Sequence, residues 1–365
     1  MKIINQMEPL YGKEEKEAVD KYLNSGAWLM EHKKTRELEQ IMCNITKAKY
    51  ACMVPNGTLS LIAGLKALGV KPGDEVIIPD YTIIASATCA SFIGAKPVLC
   101  DVEMKSGAID PIDLANKITG KTKAIILVGI NGRQPYSWDT IFEIAKENQV
   151  PILEDSAQCL GSYYDCGNYK QHMGTMGKIG SFSFSISKIV TMGNGGTIIT
   201  NDKEIYNELK FMKNFGRLKG GIDKNFYPGI DLKFNDVLAT IGIEQLKKLK
   251  QRIKRKKEIF KLYRYLLDGF VDFFDTDLKI TSPWMSDILL RNKVERAKVI
   301  AYLDSKKIGT RKFYPAIHTQ KAYNIKGNFP NAVEISERGL WLPSSLKLTN
   351  DEIEYVCKEI KKGLK

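Results

Sequence analysis

Lys188 stands between a short apolar run, Phe182-Ser-Phe-Ser-Ile-Ser187, and a glycine turn at Gly193-Asn-Gly-Gly196. Upstream, Ile152-Leu-Glu-Asp155 reads as a buried strand that ends in a carboxylate. Such a place is unfavourable for an acid unless a cation faces it. Glu154 and Asp155 point to opposite faces of that strand, so only one of them can serve a given site. A lysine able to form a Schiff base, with a separate carboxylate for a pyridinium nitrogen, is what pyridoxal phosphate (PLP) chemistry requires. A surface lysine and an ordinary strand-end acid are the competing readings, and the ordered pair argues against both.

The same chemistry needs a phosphate cradle. Pro55-Asn-Gly-Thr58 ends a strand and opens a helix that runs to Leu68. Free N–H groups at a helix start, with a glycine for close approach and a hydroxyl alongside, form an anion site. Ser183 can add a second hydroxyl from the strand before Lys188.

These residues must be carried by a scaffold, and the pattern from residue 45 to 215 supplies one. Apolar strands at 75–79, 98–102, 123–130, 150–154 and 195–200 alternate with helices at 58–68, 84–93, 138–148 and 203–213. Continuous apolar strands alternating with helices predict a mainly parallel sheet covered on both faces. A single long helix, 236–267, then leads into a smaller α+β region ending in a helix at 350–362. The predicted division is 1–240 and 241–365.

Composition bounds the function. The 365 residues are 44% hydrophobic and 27% charged, as in a soluble globular protein. No apolar run approaches the roughly 20 residues of a membrane helix. The N-terminus has no apolar leader, which predicts a cytoplasmic protein. Seven cysteines without CxxC spacing argue for free thiols, and three scattered histidines against a metal site. The net charge of +13 draws heavily on one run, 247–257, which has helical apolar spacing and no interleaved aromatics. A solvated helix face is therefore expected there, and nucleic-acid binding is not.

The chain resembles the DegT/StrS group of PLP-dependent nucleotide-sugar aminotransferases nearly end to end. The likeness lies in Lys71-Pro-Gly-Asp-Glu-Val-Ile-Ile-Pro79, Gly94-Ala-Lys-Pro-Val-Leu-Cys-Asp-Val102, Glu154-Asp-Ser-Ala-Gln158 and Phe182-Ser-Phe…Lys188. It continues through Ala239-Thr-Ile-Gly-Ile-Glu-Gln-Leu246, Ile308-Gly-Thr-Arg-Lys-Phe-Tyr-Pro-Ala-Ile-His318 and Ser336-Glu-Arg-Gly-Leu-Trp-Leu-Pro343. It implies the aspartate-aminotransferase fold (fold type I), with a mainly parallel seven-stranded sheet in the large α/β domain and a smaller C-terminal α+β domain. Lys188 then is the Schiff-base lysine, Asp155 the partner of the ring nitrogen, and Gln158 a neighbour of the phenolic oxygen. Gly57, Thr58 and Ser183 hold the phosphate. A homodimer with shared sites is implied, Asp231 reaching the partner's phosphate.

Three positions depart from the family's usual residues: Ile83 for a stacking aromatic, Gly129 for a histidine, and Asp231 for an asparagine. Tyr81 can replace the aromatic only if its segment is extended. The implied reaction moves an amino group from glutamate to a nucleotide-linked sugar ketone. Segments 308–318 and 341–345 most resemble enzymes that aminate carbon 4 of 4-keto-6-deoxy sugars, the perosamine or viosamine synthases. Amination at carbon 3, and a non-catalytic regulatory protein on the same fold, are the alternatives. Arg311 is a contact for the substrate phosphate or the donor carboxylate, and Trp28, Tyr314 and His318 are candidates for the sugar site.

Overall fold

The computed structural model describes residues 3–217 and 223–365. Its strands up to residue 200 are β1 (Tyr50–Val54), β2 (Glu75–Pro79), β3 (Lys96–Cys100), β4 (Thr122–Val128), β5 (Ile152–Asp155), β6 (Tyr163–Asp165), β7 (Lys170–His172), β8 (Ile179–Ser183) and β9 (Gly196–Thr200). Seven of them form one sheet in the order β1-β9-β8-β5-β4-β2-β3. Strand β9 runs against its neighbours β1 and β8, and the other neighbouring pairs are parallel. Strands β2 and β5 are buried along their whole length, as strands of a sheet covered on both faces must be. Strands β6 and β7 pair separately as a hairpin.

The strand expected at 98–102 forms two residues earlier, at Lys96–Cys100. Asp101 is diverted: its N–H donates to Asp113, and its carboxylate accepts from the N–H groups of Asn331 and Ala332. A strand cannot continue through a residue whose polar groups are engaged elsewhere.

Helices α1 (Lys13–Asn24), α2 (Lys33–Thr46), α3 (Gly57–Ala67), α4 (Ala85–Phe92), α5 (Pro111–Lys117), α6 (Trp138–Glu147) and α7 (Lys203–Met212) accompany this sheet. The predicted helix 236–267 is two helices, α8 (Asp236–Lys247) and α9 (Leu249–Leu267), separated where Lys248 leaves helical geometry at ψ 1°. Asp236 ties α8 to the first two helices. It accepts from the N–H groups of His32, Lys34 and Thr35 and from the hydroxyls of Thr35 and Tyr22. Burial works to raise its pKa, but these hydrogen bonds hold it below the usual carboxylate range.

Beyond α9 a second sheet, β10 (Ser286–Leu289), β11 (Arg311–Lys312) and β12 (Gly339–Leu342), has the order β10-β12-β11 and is antiparallel. It is accompanied by α10 (Lys293–Ser305), α11 (Pro330–Arg338) and α12 (Asn350–Gly363). Its core joins Ile259 and Tyr263 of α9 to Ile288, Val299, Leu340 and Val356. The N-terminal strip also belongs to this core, because Ile4 bridges to Ile308. We propose a division of the chain near residue 240, close to the break between α8 and α9.

The basic run is only partly a solvated face. Lys247, Lys250 and Lys254 are exposed, but Arg252 and Lys256, four apart on the side of Leu249 and Ile259, are buried. Arg252 donates to the carbonyls of Ile189 (3.0 Å) and Leu10 (2.9 Å). Lys256 donates to those of Trp284 (2.7 Å) and Ser344 (2.5 Å). Charge counting in the sequence cannot see such inward cations, because carbonyls rather than acids receive them.

Burial, with the nearby Arg252 charge, pulls the Lys256 pKa down to about 7. The unfolded chain, with an ordinary lysine, therefore binds more protons between that value and the normal lysine range. Stability contributed by this site rises with pH across that window. In Lys256→Met the rise should vanish: the wild-type Tm gains on the variant's as pH goes from 7 toward 10 in thermal melts. A difference that does not change with pH would show that Lys256 stays charged in the folded state.

Candidate active site

The site lies at the carboxyl ends of the parallel strands, where open α/β sheets place their ligands. Asp155 ends β5 and is fully buried. Its Oδ2 accepts from the Ser86 hydroxyl of α4 (3.0 Å), and its Oδ1 from the Ala157 N–H (3.2 Å). Burial raises its pKa, while Ser86, Ala157 and the charge of Lys188 oppose the rise. Glu154 faces the other way, as strand alternation requires. It accepts from the Tyr164 hydroxyl and the N–H groups of Gly174, Met176 and Gly177.

Lys188 lies in the loop between β8 and β9. Burial pulls its pKa down to about 8; Asp155 and then Cys159 work against that shift, and Arg311 adds to it. Among the described residues its ammonium donates no hydrogen bond and forms no ion pair. It rests over the indole of Trp284, 4.2 Å from the ring centroid.

Helix α3 points its N-terminus at the same region. Asn56 caps it by accepting from the Leu59 N–H (2.9 Å), leaving the Gly57 and Thr58 N–H groups without a partner among the described residues. A Cβ at Gly57 would stand 2.9 Å from the Ser183 Cβ and 3.2 Å from its Oγ. The glycine thus lets two free N–H groups and a hydroxyl converge. Behind them the hydroxyls of Ser60 and Ser181 meet, fastening α3 to β8.

Gln158 is buried, and its Oε1 accepts from the Asn131 N–H (2.6 Å), so its amide NH2 is the free end, a donor. Asn131, in the left-handed region at φ 55°, clasps Met285 by both main-chain groups (2.7 and 2.8 Å). The clasp ties Gln158 to the second sheet. Gly129 has a partner change: a Cβ there would lie 2.2 Å from the Cys159 Sγ, so Cys159 and Met173 occupy the space of a larger residue.

The remaining sequence candidates divide. Arg311 is exposed over the rings of Tyr314 and Trp341, 5.4 Å from each, and has no acid partner among the described residues. Its charge is felt at Lys188, and that of Asp155 at Tyr314, whose hydroxyl burial pushes up to about 12. Ile83 is partly exposed, whereas Tyr81 is fully buried against Phe313 and is not available for stacking. His318 is held by Asp80 through its N–H and its Nδ1, and its ring lines a cavity of about 560 Å³ with Lys293, Phe329 and Glu337. Trp28 and Asp231 are exposed, as are Met30, Phe226 and Ile230. The Asp231 carboxylate accepts from the Lys233 N–H, while the Lys233 ammonium lies over Phe215.

Ser86, Asn131 and Trp284 escaped the sequence reading. Ser86 sits in a run of small residues typical of any buried helix. Trp284 is a lone tryptophan ahead of β10, and only the packing of the second sheet brings it to Lys188.

A buried carboxylate with no contacting cation, a lysine with no acceptor, and an anion cradle at a helix start are together the donor set for a phosphorylated pyridine aldehyde. Residues 9–361 match the DegT/DnrJ/EryC1/StrS aminotransferase family. The GDP-perosamine synthase of Escherichia coli O157:H7 is 33% identical, covering 99% of this chain and 98% of its own. That of Vibrio cholerae is 30% identical, with 93% and 95% covered. A protein assigned as a sugar aminotransferase from Streptococcus pneumoniae, solved in its PLP form, superposes with a TM-score of 0.92 at 26% identity, over 100% of this chain and 99% of that one. The chain belongs to the DegT/DnrJ/EryC1/StrS aminotransferase family. It is a PLP-dependent sugar aminotransferase with the fold expected from its sequence.

The cradle can be tested by filling it. Gly57→Val should leave a folded protein that binds PLP roughly ten- to a hundredfold more weakly, the worth of one charge-assisted contact. Spectral titration of the apoprotein measures this. Unchanged affinity would place the phosphate elsewhere.

Proposed function

We propose that this enzyme transfers the amino group of glutamate to carbon 4 of a nucleotide-linked 4-keto-6-deoxyhexose, giving a perosamine- or viosamine-type sugar nucleotide. The observation that carries the reading is the Lys188–Asp155 pair within a chain that matches two GDP-perosamine synthases over almost its whole length. Lys188 would hold the cofactor covalently, and Gly57, Thr58 and Ser183 its phosphate. Asp155 would face the ring nitrogen, Gln158 the phenolic oxygen and Ile83 the open ring face. When bound, PLP supplies an electron sink that takes up the amino group from one substrate and gives it to the other.

The chain's own residues do the rest. With a pKa near 8, the Lys188 amine is partly neutral at physiological pH and can take a proton at Nζ and return it. Asp155 is kept from water, which raises its pKa; the Ser86 and Ala157 hydrogen bonds work against that rise, and beside a ring nitrogen the carboxylate would favour a protonated partner. Arg311, a free cation near Lys188, suits an anionic substrate group, either the donor carboxylate or the sugar-nucleotide phosphate. Trp28, Tyr314 and His318 are proposed as sugar contacts.

The working unit is proposed to be a homodimer in the cytoplasm. Trp28, Met30, Phe226 and Ile230 are exposed apolar side chains of the kind a second copy would cover, and Asp231 would approach the phosphate of that copy. All seven cysteines are free, as suits a reducing compartment. Among the described residues no helix is long and apolar enough to cross a membrane.

Two measurements test the reading in sequence. Borohydride reduction of the yellow holoenzyme should fix the cofactor to Lys188 in peptide maps; a label on another lysine rejects the site. A panel of 4-keto and 3-keto nucleotide sugars with glutamate should yield a product whose NMR spectrum places nitrogen on carbon 4. Nitrogen on carbon 3 rejects the position and spares the aminotransferase.

A further inference from the structure

The carbonyls on either side of Lys188 are both taken by side chains from beyond residue 248. The Trp284 indole N–H donates to the Ser187 carbonyl (2.7 Å), and Arg252 to that of Ile189 (3.0 Å). Trp284 itself is almost wholly buried and firmly seated. Lys256 donates to its carbonyl (2.7 Å), its ring meets Trp341 edge-on at 5.7 Å, and the next residue, Met285, is clasped by Asn131. The indole face so fixed lies 4.2 Å from the Lys188 ammonium.

We propose that Trp284 is a positioning residue for the reaction: its indole face parks the Lys188 ammonium, and its N–H holds the adjoining main chain, whenever the lysine is not covalently engaged. The proposal rests on Lys188 being the lysine that holds the cofactor. A ring face suits the task better than an acid. It attracts a desolvated cation without accepting a hydrogen bond, so the amine is held and still free to leave. A carboxylate in that place would pair with the lysine and fix the proton on it. The other groups that act on Lys188 are Asp155 of β5, Cys159 beyond it and Arg311 of β11, and none of them touches the ammonium by hydrogen bond or ion pair. Lys256 donates to the carbonyls of Trp284 and Ser344. Trp284 is therefore the contact that defines where the freed amine waits.

The test is competitive acetylation of the full-length enzyme loaded with pyridoxamine phosphate, the Lys188 peptide being followed by mass spectrometry against pH. The wild-type midpoint is expected near 8. In Trp284→Leu the cation loses its ring, so the midpoint should fall by roughly one pH unit. In Trp284→Phe, which keeps a ring face and loses the N–H, it should move less than in the leucine variant. kcat should fall in Trp284→Leu with the KM for glutamate little changed. A merely structural tryptophan would lower the Tm of both variants and leave the midpoint where it was; that result overturns the proposal. If the leucine variant is insoluble, Trp284→Met carries the same comparison. A borohydride label away from Lys188 would instead reject the underlying site, which keeps the two failures apart.

Discussion

The structure depends on two charges that do not touch, a buried carboxylate and a half-buried lysine. Asp155 and Lys188 lie within electrostatic reach of each other, yet no ion pair joins them and burial pushes both toward their neutral forms. Two charges removed from water without contact are costly, and a fold keeps them only where something further completes the arrangement. A pyridinium nitrogen against Asp155 and a carbonyl carbon at Lys188 would meet both needs. The cradle at Gly57, Thr58 and Ser183 would fix the third corner of the same small molecule.

The sheet order explains how such corners are brought together. Strands β5 and β8 are parallel neighbours, so Asp155 and the loop that carries Lys188 emerge on the same edge. Helix α3 follows β1, which pairs with β9, and the contact of Gly57 with Ser183 brings its N-terminus to the end of β8. The second sheet approaches from the other side. Arg252, Trp284 and the Asn131–Met285 clasp fasten it to the residues flanking Lys188 and to Gln158. Positioning of the lysine is thus a property of both halves of the chain.

Much of this was legible in the sequence because the signals are local. The strand ending in Asp155, the lysine before a glycine turn and the capped helix at Asn56 each follow from residue order alone, and alternation placed Glu154 on the opposite face. What escaped was tertiary. The inward turn of Arg252 and Lys256 is invisible because their acceptors are main-chain carbonyls far away in sequence. The break at Lys248 lies in a segment with unbroken helical periodicity. Tyr81 offered an aromatic near position 83, but packing against Phe313 removes it, and the indole that does meet the lysine arrives from the segment just before β10, about a hundred residues after Lys188. The Gly129 departure gained its explanation only when Cys159 was seen in the space beside it.

Asp155 would act by keeping a pyridine nitrogen protonated. The most direct test is nitrogen NMR of the enzyme reconstituted with PLP carrying ¹⁵N in its ring. A pyridinium signal should persist to high pH in the wild-type enzyme and be lost in Asp155→Ala, with transamination slowed by at least about two orders of magnitude, from the lost charge-assisted contact and the lost activation together. An unprotonated nitrogen in the wild-type enzyme, or a pyridinium signal that survives the substitution, would contradict this role of Asp155.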